Sequence, residues 1–81
     1  MNIKCYDNGD KTADRYTVIY LDYPRYPGKI YQAVAMSAQP FHPQGVGQHV
    51  TVMLGRHLGK RIKFQDLPLD CQKLVKQDLE G

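Results

Sequence analysis

The stretch RYTVIYLDY, residues 15–23, decides the fold. β-Branched and aromatic side chains dominate it, and neither glycine nor proline interrupts it, the composition of a β-strand. Apolar residues fall at both odd and even positions, Tyr16, Val18 and Tyr20 against Ile19 and Leu21. Both faces of this strand therefore need cover, which predicts a central place in its sheet. Working outward, Ile3–Tyr6 alternates and predicts a short first strand. The turn signal Asn8-Gly9, which tolerates positive φ, separates the two. On the other side, Pro24, Pro27 and Gly28 end the long strand. KIYQAVAM (29–36) predicts a strand pairing back on it, with a short helix as the alternative because Ala, Gln and Met favour helices. Residues 37–48, SAQPFHPQGVGQ, are rich in proline and glycine and predict an ordered or semi-ordered loop of the length that is often functional.

VTVML (50–54) predicts another strand and GRHLG (55–59) a glycine-bounded turn. KRIKF (60–64) alternates lysine and arginine with apolar residues, the pattern of a charged edge strand. Asp66 as cap, Pro68 in the first turn and Asp70 near the helix dipole predict a C-terminal helix. Its apolar stripe runs through Leu67, Cys71, Leu74/Val75 and Leu79. Strands followed by one helix give a single α+β domain over residues 1–81: a four- to five-stranded, largely antiparallel sheet with one C-terminal helix packed on it.

Eighty-one residues leave a thin core. Cys5 and Cys71 stand far apart and are read as buried thiols in a reducing compartment, a disulfide between them having no support from spacing. Met1–Tyr6 has no apolar run after Lys4 and no window approaches the length of a membrane span, so a soluble cytoplasmic protein is expected. The six tyrosines all lie between Tyr6 and Tyr31 and suit half-buried strand surface.

The net charge of +3 hides an asymmetry. From Tyr23 to Gln65 there is no Asp or Glu, whereas Arg25, Lys29, Arg56, Lys60, Arg61, Lys63 and all three histidines lie inside this stretch. If it folds onto one face, that face attracts anions. Gly55-Arg56-His57-Leu58-Gly59-Lys60-Arg61 lacks the spacing and the hydroxyl of a Walker loop, yet glycine amides and cations in so short a span suit phosphate. His42, His49 and His57 are not spaced as zinc ligands, and the Asp7–Asp14 loop misses the calcium pattern; no cofactor or metal is called for. Cys5, Ser37 and Cys71 are potential nucleophiles, but no local signature joins them to a base, so binding is favoured over catalysis.

Several segments carry a resemblance: Tyr6-Asp7-Asn8-Gly9, Asp14-Arg15-Tyr16-Thr17-Val18, Met36-Ser37, Pro40-Phe41-His42-Pro43-Gln44-Gly45-Val46-Gly47, Gly55 through Ile62, Leu67-Pro68 and Asp70-Cys71-Gln72-Lys73-Leu74-Val75. Together they resemble a group of short uncharacterised phage and prophage proteins. One departure is Asp10, where the group's pattern has a second glycine after Gly9. The resemblance implies a small protein made inside an infected bacterium that inhibits or modulates host machinery, an anti-CRISPR or other anti-defence protein being the leading form. The partner would be a bacterial protein or protein–nucleic-acid complex, and the chain a monomer or homodimer.

Arg56, His57, Lys60, Arg61 and Lys63, with Arg25, Lys29, Phe41 and His42, are the expected contact residues: a basic hairpin beside a His-Pro-Gly loop. A nucleic-acid-binding accessory protein using the same face is the alternative. A small hydrolase or nuclease at the Asp7–Asp14 loop with a histidine such as His42 ranks third.

Overall fold

The computed structural model describes residues 2–25 and 30–80, without the side chains of residues 23–25. Five strands, β1 (Ile3–Asp7), β2 (Tyr16–Arg25), β3 (Ile30–Met36), β4 (Gly47–Met53) and β5 (Lys60–Ile62), precede a single α-helix, α1 (Leu69–Glu80). Short 3-10 turns at Arg56–Leu58 and Phe64–Asp66 flank β5. The sheet order is β4-β3-β2-β1-β5, and every pairing is antiparallel. This is the expected α+β architecture.

β2 lies at the centre, and its double-faced composition is the reason. Tyr16, Val18 and Tyr20 join Cys5, Val34 and Met36 on one face, where Leu67, Cys71 and Val75 from the α1 segment cover them. Ile19 and Ala33 lie on the other, capped by Leu58, with Tyr6, Leu21, Tyr31, Val50 and Val52 packed around them. Burying Val18, Ile19, Val34, Met36 and Val75 completely contributes about 1.5–3 kcal/mol for each side chain, set against the chain entropy lost. The register between β2 and β3 shifts between Ile19 and Pro24, and such an irregularity is where a strand tolerates a residue with no N–H.

Leu58 reaches its place because residues 54–59 cross that second face. β4 and β5 occupy opposite edges, four strand spacings or about 19 Å apart. The seven residue steps from Met53 to Lys60 can span about 24 Å at most. Met53 lies at the Ile30 end of its edge and Lys60 at the Asp7 end of the other, so the crossing is diagonal.

Local details depart from the sequence reading in several places, β2 for one running through Pro24 to Arg25. The reversal after β1 is a longer loop, closed by Asn8 N–H donating to the Arg15 carbonyl (2.9 Å). Its positive φ values fall at Gly9 (72°) and Asp10 (69°), one residue later than an Asn8-Gly9 turn would place them. Asp10 thus sits where glycine is favoured. Asp66 accepts from the Lys63 N–H (3.1 Å) and so caps the 3-10 turn, not α1; the first turn of α1 closes from Gln72 N–H onto the Pro68 carbonyl (3.0 Å). Finally, β4 begins three residues earlier than the sequence suggests, at Gly47, and β1 is an interior strand, because β5 pairs along its outer side.

Candidate binding surface

β5 is held to β1 by three register pairs: Asp7 with Lys60, Tyr6 with Arg61, and Cys5 with Ile62. Strand alternation then assigns the faces. Ile62 packs into the helix-side core beside Cys5, so Lys60 shares that side, and Arg61 emerges on the opposite face next to Tyr6. Arg56 and His57 stay exposed on the 3-10 turn whose Leu58 is buried. Lys63 is exposed just past β5.

Gly59 makes this corner close. Its φ is 97°, and a Cβ there would run into the Asp7 carbonyl and lie 2.6 Å from Asn8 Cα. The residue type is fixed by the approach of β5 to the end of β1.

None of Arg56, Lys60, Arg61 and Lys63 has a salt-bridge partner among the described residues; the ion pairs there use Arg15 and His49. Arg15 grips Asp7 in a two-pronged contact, Nε to Oδ1 at 2.7 Å and Nη2 to Oδ2 at 3.0 Å, and reaches Asp10 Oδ2 at 3.1 Å. Its guanidinium also lies 5.2 Å from the centre of the Tyr16 ring. The Arg15 hydrogen bonds hold the Asp7 carboxyl below its ordinary range, with a smaller contribution from Lys60. Asp7 and Asp10 are therefore committed to Arg15, and no three of the His, Cys, Asp and Glu side chains among the described residues group closely enough to hold an ion.

β5 covers only the upper half of β1, and below it opens a cleft of about 580 Å³. Ile3, Cys5, Ile62 and Phe64 give it apolar walls, with Arg61 and Lys63 contributing cationic ones. The Cys5 thiol is pushed up to about 11 by burial, with Arg61 opposing in part. Burial likewise pushes Cys71 up to about 11. Both cysteines are free and buried; neither is a thiolate near neutrality, which removes the activated form that nucleophilic chemistry uses.

The loop of residues 37–46 is ordered. Ser37 N–H donates to the Val46 carbonyl (2.8 Å), Val46 N–H to Ser37 Oγ (3.0 Å), and the Cys71 thiol to the Ser37 carbonyl (3.2 Å). Phe41 is 49% exposed at its tip. His42 accepts the Gln44 N–H at Nδ1 (3.1 Å). His42 makes no hydrogen bond to Cys5, Asp7 or Asp14, the contact a hydrolase reading asked for.

The acid-free stretch does not lie on one face. Its residues span β3, the β4 edge and the β5 edge on the far side. The 37–46 loop and Lys60 do meet the same end of the sheet, since Met36, Tyr16, Asp7 and Lys60 are successive register partners. Three strand spacings, about 14 Å, separate β3 from β5, and the Arg15–Asp7–Asp10 cluster stands between. Arg25 pairs by its backbone with Ile30 at the opposite end of the sheet, and Lys29 lies outside the described residues.

One side-chain hydrogen bond escaped the sequence reading. His49 on β4 meets Asp78 on α1 at 2.6 Å. Partial burial raises the Asp78 carboxyl, but Tyr20 and His49 outweigh it and leave it lowered. The Tyr20 hydroxyl is buried beside this pair without a partner in good hydrogen-bond geometry, and burial drives its pKa well up. Asp78 falls beside the predicted helix stripe, but nothing in the spacing couples it to a strand residue that far back in the chain.

No helix among the described residues is long and apolar enough to cross a membrane. The sequence matches no protein-family model, and no curated protein or solved structure is significantly similar to it.

Proposed function

We propose that this chain is a small phage-derived binding protein that inhibits or modulates bacterial host machinery, with a defence complex such as a CRISPR effector as the target class. It docks through the β5 corner onto an anionic surface. The observation that carries this reading is the contrast between two sets of cations. Arg15 is neutralised within the fold, whereas Arg56, Lys60, Arg61 and Lys63 are exposed, without acidic partners, and presented within eight residues of chain on a rigid edge. The phage setting rests on the resemblance in the motifs. Such a surface raises association rates and selects partners by sign of charge.

The test is affinity capture from infected or lysogenic bacteria, comparing the natural chain with Arg56→Glu/Arg61→Glu. The double variant folds normally by circular dichroism and loses the captured partner. Full retention of partner and of inhibitory activity refutes the assignment of this surface.

A specific pairing favours the nucleic-acid reading as second. Tyr6 and Arg61 are direct cross-strand neighbours on the face opposite α1, an aromatic ring and a guanidinium side by side where a base and its phosphate could be met. If the four cations contact duplex DNA, log affinity falls against log salt with a slope of about −3.6. Absence of oligonucleotide binding at low salt removes this alternative.

A further inference from the structure

We infer that the chain self-associates through the free edge of β4, two copies joining antiparallel about a two-fold axis at Val50 into one continuous ten-stranded sheet.

The two edges of the sheet are treated differently. β5 is three residues long and carries Lys60 and Arg61, with Lys63 next in sequence. That is how proteins protect an edge from pairing. β4 is seven residues long, GQHVTVM. It contains no lysine, arginine, acid or proline, and Val50, Thr51 and Val52 are β-branched in succession. Alternate residues of any edge strand turn their N–H and C=O groups outward, so β4 presents an open row of backbone donors and acceptors. His49 is fastened to Asp78 of α1 at 2.6 Å, so the edge is braced from the helix side and little order remains to be imposed on pairing.

A second copy suits this edge, because the register about Val50 sets uncharged residues against uncharged residues and brings the exposed Met53 and Leu54 against apolar atoms of the partner copy. Val50 meets Val50, Thr51 meets His49, and Val52 meets Gln48. Met53, 55% exposed, comes opposite Gly47. Gly47 is already covered there, Leu74 Cδ1 and Pro40 Cβ lying 3.1 and 3.3 Å from where its Cβ would stand, so Met53 comes beside apolar atoms of the partner copy. Leu54, 39% exposed, reaches Val46. Directly opposed residues share a face, so both copies of α1 lie on one side of the joined sheet. The seam contains no Lys, Arg, Asp or Glu from either strand, so two copies each carrying +3 bring no like charges into direct opposition there.

The β5 corners end up at the two far edges of the joined sheet, free for the contact proposed above. The inference does not depend on that function and survives its failure.

Sedimentation equilibrium from roughly 1 μM to 1 mM, with amide hydrogen exchange on the same samples, tests the edge. A reversible dimer is expected, with protection of residues 47–53 rising with protein concentration while β5 amides stay unchanged. Thr51→Lys/Met53→Lys places lysines at two exposed positions of the seam and weakens the dimer by about tenfold or more. A monomer at every concentration overturns the inference. So does a dimer whose added protection maps elsewhere, or one that the folded lysine variant leaves intact. Should that variant unfold, the exchange map of the natural chain decides.

Discussion

Replacing Gly59 by alanine should unseat β5, and Gly9 provides the control that shows why. Both glycines have positive φ, 97° and 72°. At Gly9 an added Cβ meets nothing within 4 Å, so Gly9→Ala costs only the backbone conformation, about 1 kcal/mol. At Gly59 the same methyl would overlap the Asp7 carbonyl and stand 2.6 Å from Asn8 Cα and 2.8 Å from the Asp7 carbonyl carbon. Carbon atoms rest at about 3.5–4.0 Å, so β5 must retreat by about 1 Å from backbone that cannot rotate aside. Overpacking of this kind costs roughly 1–3 kcal/mol. With the conformational cost, Gly59→Ala should lose about 2–4 kcal/mol, a large share of the roughly 5–15 kcal/mol typical of a domain. Urea denaturation of both variants measures the difference, and hydrogen exchange at β1 and β5 locates it. A Gly59→Ala protein within about 0.5 kcal/mol of Gly9→Ala would refute the close approach of β5 to Asp7.

Other expectations follow from the ionic and thiol environments. Asp7 and Asp78 have lowered carboxyl pKa values, so their stabilisation is complete above the ordinary value of 3.8 and is lost as pH falls through the lower folded values; acid denaturation of Asp7→Asn should show a shallower slope, and an unchanged slope would contradict the Arg15 contact. With Cys5 and Cys71 buried and raised to about 11, a thiol reagent near neutral pH should label neither in the native protein and both in denaturant; fast native labelling would disprove their burial. Asp10→Gly exchanges a left-handed strain of about 1 kcal/mol for an exposed Arg15 contact worth about 0–1 kcal/mol, so stability should change little, and a loss beyond about 1 kcal/mol would mean that the Asp10–Arg15 contact carries more than exposed pairs do. Phe41→Ser should leave the unfolding midpoint almost unmoved, since the ring is half exposed; a large loss would show the loop tip to be part of the core.

How far the fold could be read ahead depended on the range of the interaction. β2 announced itself because burial on two faces leaves a local signature, and the stripe Leu67, Cys71, Val75 is set by helical period alone. The charged edge at Lys60–Ile62 was legible because edge protection is written in residue type. The pairing of β5 with β1 was not: nothing local says that Lys60 faces Asp7 or that Arg61 stands beside Tyr6. That pairing splits the acid-free stretch between opposite edges and places the Arg15 cluster between the two halves of the expected site. The His49–Asp78 contact was hidden for the same reason. The early start of β4 was missed because Gly47 and Gln48 have weak strand preference and are held by β3 rather than by propensity.

The join between β1 and β5 also sets an order of events. Cys5 waits for Ile62, so nearly the whole chain must leave the ribosome before the first strand gains its outer neighbour. Contacts this distant in sequence form late, after local hairpins. The basic corner is thus assembled late, by the closing of β5 upon β1. A copy without Ile3–Asp7 would still carry Arg56, Lys60, Arg61 and Lys63 but lack the strand that holds β5 in place, so binding through the corner depends on residues that carry none of its cations.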